Sequence, residues 1–407
     1  EIMPSLVGSE MCIRDRLASA FTLTGCTSVY SNFKEIEQLL VIQDMGLDKQ
    51  GGGVLLSLCS ASDESTGDVP KRLYGTGDSI TTALEHIYNY SFEDILFCSH
   101  ISHVLIGEKA AESGIDDYLS YICRSPIMRL DIPLFVVKGS TAQDAVLKVG
   151  DGSRGIVEIM DSVEMIVGRL GNSSLYTAAE TVRNLDRCGS SLICAVELAE
   201  PLESDSGAPS GDSPSASEED GFATQDDGSG KLTAVVYGYA VIRDGKLCKF
   251  LDRDEAIAVG FLTNKVGLTN VTVRDRHGSL VVLEIDSGGS EVTPVWSDTG
   301  ELTGLNIAVD VCASIVEVSG SSDMRSAEYT DHITAQLEAL ISDYVSRVML
   351  TSRELRSDFL CLAQAVERDD PSAFRMLPQS FPDLLPSLEL QISVSGQLTH
   401  TNDVRDF

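Results

Sequence analysis

Positive charge is scarce in this chain: 30 Lys and Arg stand against 62 Asp and Glu, a formal net charge of −32 over 407 residues. That balance argues against nucleic acid as a partner, because such binding depends on Lys and Arg neutralising phosphates. It argues equally against electrostatic adhesion to anionic lipid. Long apolar runs are also missing. With no stretch of about 18 apolar residues, no helix is expected to span a bilayer. Ten cysteines are scattered along the chain, none in a CxxC pair, and their spacing supports no disulfide framework. Most sit in apolar runs, as Cys98 does after Ile95-Leu96-Phe97, and fit small buried hydrophobes. No G-x-S-x-G elbow occurs, and no phosphate loop with its Lys-Ser/Thr. No catalytic residue, cofactor or metal is expected.

What is present starts with Leu23-Thr24-Gly25-Cys26. An aliphatic residue, two small residues and a cysteine make a lipobox. Cleavage before a diacylated cysteine would make Cys26 the first mature residue and a lipid anchor of the palmitate-carrying kind. The body of the protein would then be tethered outside the cytoplasm rather than spanning the membrane. Leu17-Ala18-Ser19-Ala20-Phe21-Thr22-Leu23 supplies only the tail of an apolar signal run. Residues 1–25 are therefore taken as a truncated signal peptide, with 1–16 resembling a translated sequencing adaptor and so a non-native leader.

The remainder, 43% hydrophobic, has the composition of a globular protein. Its length suggests roughly two to three domains. Residues 26–200 form an expected N-terminal α+β domain. A strand over 39–48 is followed by Gly51-Gly52-Gly53 and a second strand over 54–59, so a hairpin is predicted. Helix-like spacing over 76–90 has Asp78 as its N-cap. A helix over 109–123 has Gly114 as a weak point, and a short helix spans 141–149. Strands and helices alternate without the long regular βαβ repeat of a doubly wound sheet, which favours α+β with mixed sheets.

Residues 201–231 are rich in Ser, Gly, Asp and Glu with almost no aliphatics. Such a stretch cannot bury enough surface to fold, so it is expected as a disordered insert, either a loop between paired strands or a linker. Residues 232–407 form a C-terminal α+β region, strand-rich over 232–318. A long amphipathic helix and a final strand fill 319–396. The helix carries Tyr329, Ile333, Leu337, Leu340, Ile341, Tyr344, Val345 and Val348 on one face, with Leu355, Phe359 and Leu362 continuing the stripe. That face is expected to pack on its own domain's sheet rather than dock a partner.

Three clusters have the look of sites. Cys98-x-His100-x-x-His103 has metal-ligand residue types but no fourth ligand nearby, so a structural role is expected. Gly75-x-Gly77 lacks the further spacing of a phosphate cradle and suggests a turn. Asp252, Asp254 and Glu255 lack the spacing of a calcium loop and suggest a solvated turn.

Read in order, several segments resemble the C subunits of spore germination receptors, the Ger(x)C lipoproteins. They are Leu23 to Cys26, Glu35-Ile36-Glu37 and then 41–48; Ser102-His103-Val104-Leu105-Ile106-Gly107-Glu108; Gly238-Tyr239-Ala240-Val241-Ile242 with Asp244-Gly245-Lys246-Leu247; and a long helix with Asp358-Phe359, then Phe381-Pro382. The chain departs from the family where Thr27-Ser28-Val29-Tyr30 replaces an aromatic-acidic-basic lead, and where Leu384-Leu385-Pro386 replaces tryptophans. The resemblance implies a non-enzymatic, lipid-anchored subunit on the extracytoplasmic face of the inner spore membrane. Its implied partners are the integral membrane A and B subunits, with which it acts in nutrient germination. A lipid-anchored solute-binding protein of a transporter is the competing expectation, weakened by the missing two-lobe βαβ pattern. An anchored hydrolase lacks any nucleophile or metal constellation.

Overall fold

A computed structural model describes residues 39–61, 70–90, 95–150, 154–201, 232–319 and 326–399. The first sheet is built from β1 (Leu39–Gln50), β2 (Gly53–Ser60), β3 (Arg72–Gly77), β4 (Ile95–Phe97), β5 (His103–Gly107), β6 (Leu134–Lys138), β7 (Ser190–Ala199), β8 (Thr233–Arg243) and β9 (Lys246–Leu251). Its order is β3-β2-β1-β5-β6-β7-β8-β9, with the short β4 against β1. The predicted hairpin is β1–β2, paired from Gln50↔Gly53 outward. β1, β5, β6 and β7 run parallel, while the antiparallel pairs β2–β3 and β8–β9 close the two sides.

A parallel centre needs crossovers, and these place helices on both faces. On one face lie α1 (Ile80–Tyr90), α2 (Glu108–Ser113), α3 (Asp116–Arg124) and α6 (Ala178–Cys188). The other carries α4 (Ala142–Lys148) and α5 (Ile156–Arg169). β5 is consequently buried at every position. The crossovers differ in length and helix number, which hides this parallel core from a search for regular βαβ spacing.

Local details follow the chemistry of the residues. The helix predicted over 109–123 breaks into α2 and α3 at Gly114, whose φ of 130° few other residues adopt. The α1 N-terminus sits one residue later than expected: Ser79 Oγ accepts from the Thr82 amide at 3.2 Å, and Thr82 Oγ1 accepts from the Ser79 amide at 2.9 Å. Asp78 lies outside that box. Thr141 caps α4, its hydroxyl accepting from the Asp144 amide at 3.0 Å.

The insert is bracketed by paired strands. Ala199 on β7 stands opposite Thr233 on β8, so the first sheet runs across it. The insert's own residues 202–231 lie outside the described residues.

The second sheet holds β10 (Thr269–Arg274), β11 (Leu280–Trp296), β12 (Leu302–Val318) and β13 (Glu389–Thr399) in that order. β11 and β12 form a long antiparallel ribbon, and β13 joins β12 in parallel. One face of this sheet is covered by α7 (Arg253–Leu262) and α8 (Ala327–Leu355). The predicted stripe on α8 is the packed one: Ile333, Leu337, Ile341, Tyr344, Val345 and Val348 are buried in the core beneath it. The stripe stops earlier than expected as a helix. Arg356 turns left-handed at φ 47°, so Phe359 and Leu362 reach the same core from a non-helical segment before α9 (Ala363–Asp369). Two short helices, α10 (Pro371–Arg375) and α11 (Phe381–Leu384), lead to β13. The fold is thus α+β: mixed sheets with helices packed on them, closing on a long amphipathic helix and a strand.

Candidate functional site

Leu23, Thr24, Gly25 and Cys26 lie outside the described residues. The other clusters picked from the sequence are resolved, and each is put to structural use. Cys98 and His100 occupy a single 3-10 turn, while His103 opens β5. Burial pushes the Cys98 thiol up to about 11, which suits a packed thiol rather than a metal ligand. His103 has a different partner. In the β1–β5 register it stands opposite Asp44, and Nδ1 lies 2.8 Å from Asp44 Oδ1 with both side chains fully buried. Its Nε2 faces two carboxylates of α5, Asp161 at 3.5 Å and Glu164 at 3.4 Å. Burial opposes charging of His103, but the hydrogen bond and charge of Asp44, with Asp161 and Glu164, outweigh it and raise its pKa. The structural role expected for His103 is met by an ion pair between two central strands. Asp44, a polar residue within the apolar run 41–47, was the signal for it.

Gly75 and Gly77 are strand residues, not a turn. They pair with Leu56 and Val54 on β2. A Cβ at Gly77 would come within 2.4 Å of the Ala83 amide, and one at Gly75 within 2.7 Å of Ile87. These two glycines let α1 lie directly on β3.

Asp252, Asp254 and Glu255 form the start of α7 rather than a solvated turn. Asp252 accepts from the Glu255 amide at 2.9 Å, and Glu255 accepts in return from the Asp252 amide at 3.0 Å. This is a capping box. The buried Glu255 carboxylate also meets Lys249 Nζ at 2.9 Å, and Lys249 donates to Thr351 on α8 at 2.8 Å. Asp254 faces Arg347 of α8 at 3.4 Å. The acidic cluster therefore fastens α7 and α8 to the edge of the first sheet.

The seam between the two sheets carries no motif in the sequence. A cleft of about 800 Å³ opens there between α6, the end of α7, β11 and the segment 359–369. Its wall is polar. Lys265 Nζ lies 4.4 Å above the Tyr176 ring. Arg183 and Arg368 add cationic side chains, and Glu180, Glu291 and Asp369 add carboxylates. Asn264 pins one rim by pairing twice with the Ser290 backbone, at 2.8 and 3.2 Å. The opposite rim is held by Asp358, whose buried carboxylate accepts from the amides of Leu362 at 2.7 Å and Ala363 at 2.9 Å. Burial raises the Asp358 pKa well above its ordinary value. Ser357 donates to Ser190 of β7 at 2.8 Å, and Arg243 Nη1 donates to the Leu355 carbonyl. Both bonds cross from one sheet's layer to the other's. With charges of both signs and rigid rims, the cleft suits contact with a polar molecule or chain segment.

Comparison with known proteins gives the chain its relatives. Two family models match it: the spore germination protein N-terminal domain over residues 32–158, and the spore germination B3/GerAC-like C-terminal domain over residues 237–402. A solved structure described as the crystal structure of the GerBC protein shares the fold, with a TM-score of 0.55 and 15% identity, covering 89% of this chain and 99% of that one. Comparison with curated proteins returns no match.

Proposed function

The chain belongs to the family of spore germination receptor C subunits, the GerAC-like proteins, and from that membership we propose that it is the lipid-anchored C subunit of a nutrient germinant receptor. The observation that carries the reading is the pair of family matches, which fall in order over residues 32–158 and 237–402. In this reading Cys26 carries the acyl chains, with Leu23, Thr24 and Gly25 as the recognition sequence for processing. No helix among the described residues is long and apolar enough to cross a membrane, and in this reading attachment rests on those chains. Two or more are enough for stable anchoring. The protein sits on the extracytoplasmic face, in the inner spore membrane, and joins the integral membrane A and B subunits. It acts by contact and signalling rather than by catalysis.

Co-purification of the tagged full chain from spore inner membrane, beside a Cys26→Ala control, tests this. Recovery of two multi-pass partners by the wild type, with loss of membrane pelleting and acyl label in Cys26→Ala, is the expected result. Undiminished pelleting of the variant would overturn the anchor. Recovery of a permease with an ATPase would move the chain to the transport-binding reading.

A further inference from the structure

The seam cleft holds hydrogen-bond donors that the chain itself does not answer. Three cations line it: Arg183 on α6, Lys265 just after α7 and Arg368 on α9. All three are exposed. Among the described residues none of them forms an ion pair or donates a hydrogen bond. Lys265 has only the Tyr176 ring beneath it, 4.4 Å from Nζ, which offers a π face and no acceptor oxygen. The carboxylates on the same wall are turned to other donors. Glu180 Oε2 accepts from the Thr177 amide at 3.0 Å and from its hydroxyl at 3.2 Å. Asp369 accepts from the Trp296 indole at 3.0 Å. Glu291, exposed on β11, is the third.

A second, independent observation lies in the wall itself. Ser290 Oγ is buried and has no hydrogen-bond partner among the described residues. Its backbone cannot shift to find one, because Asn264 holds it on both sides, at 2.8 and 3.2 Å. A buried hydroxyl left so calls for an explanation, and an acceptor entering the cleft supplies one.

We propose that the seam cleft is a binding site for a small molecule bearing oxyanion groups, a dicarboxylate or a phosphate monoester. The volume of about 800 Å³ falls in the range of small-molecule sites. A guanidinium meets a carboxylate or a phosphate with two parallel N–H···O bonds, and Lys265 adds a point charge. Arg183 belongs to the helical layer of the first sheet, and Arg368 to the segment that follows α8. A ligand engaging both therefore bridges the joint between the sheets and stabilises it by mass action. A neutral ligand of the same size would leave the two guanidinium groups and the ammonium unanswered.

The test titrates the full chain in detergent at low ionic strength with succinate, inorganic phosphate and uncharged succinamide, followed by calorimetry and by Tm. Saturable binding and a raised Tm are expected with at least one of the two anions and not with succinamide. Binding of succinate alone identifies a dicarboxylate site, and binding of phosphate alone a phosphate monoester site. Added salt should weaken either. Arg183→Gln and Arg368→Gln should each weaken binding by about tenfold or more, with the Tm of the unliganded protein unmoved. Lys109→Gln, at an exposed cation outside the cleft, should leave binding unchanged. Absence of binding by both anions, equal binding of succinamide, or full affinity in the two arginine variants would overturn the proposal. The comparison of succinate with succinamide on the wild type decides the matter even if a variant fails to fold.

Discussion

β5 is buried along its whole length, from His103 to Gly107, whereas β13 alternates exposed and half-buried residues from Glu389 to Thr399. The first sheet has helices on both faces, and the second has them on one. The difference decides where a polar side chain can go. In β1 and β5, Asp44 and His103 have no water to turn to and must satisfy each other. In β12, Asp310 is simply exposed. A strand covered on both faces reads as an unbroken apolar run, so a polar residue in it signals a buried partner. A strand covered on one face reads as alternation, and its polar residues signal nothing beyond solvent.

The sharpest way to break this comparison is to remove one half of the buried pair. His103→Ala leaves Asp44 buried without its cation and should cost about 3–5 kcal/mol of unfolding free energy, read by urea titration. Asp310→Ala should stay within about 0.5 kcal/mol. Similar effects at the two positions would erase the distinction.

One helix allows the same contrast on the second sheet. Leu337→Ala opens a cavity under α8 and should cost about 2–5 kcal/mol, while Leu350→Ala, at a position 54% exposed, should change stability by less than about 0.5 kcal/mol.

The pH dependence sharpens the account of the first sheet. The folded pKa of His103 is raised above its ordinary value of 6.5. Its contribution is therefore fully present below that value and is lost as pH rises through the raised pKa. Stability measured across that window should fall in the wild type, and His103→Gln should flatten the fall.

A smaller effect belongs to the joint between the sheets. Asp252→Ala removes the α7 cap and should cost about 0.5–2 kcal/mol by thermal melt. Smaller still should be the effect of deleting residues 204–228. The strands on either side pair directly, and loop length enters closure entropy only logarithmically, so a change below about 1 kcal/mol is expected. A large loss would mean that the insert is packed.

Much of the local structure was legible because its causes are local. The β1–β2 hairpin follows from three glycines between two apolar runs, the α2–α3 break from Gly114, and the α8 face from its spacing. The sequence by itself also determined the family, since ordered short motifs survive where no single one is specific, and the acidic balance that argues against nucleic acid. Asp252 and Glu255 looked like a solvated turn because a capping box is recognised only once a helix is known to follow. Only the tertiary structure decided that β1, β5, β6 and β7 lie parallel and that His103 answers Asp44. Each of these joins residues far apart in the chain. Periodicity records which way a side chain faces, but not which distant strand or helix waits on that side.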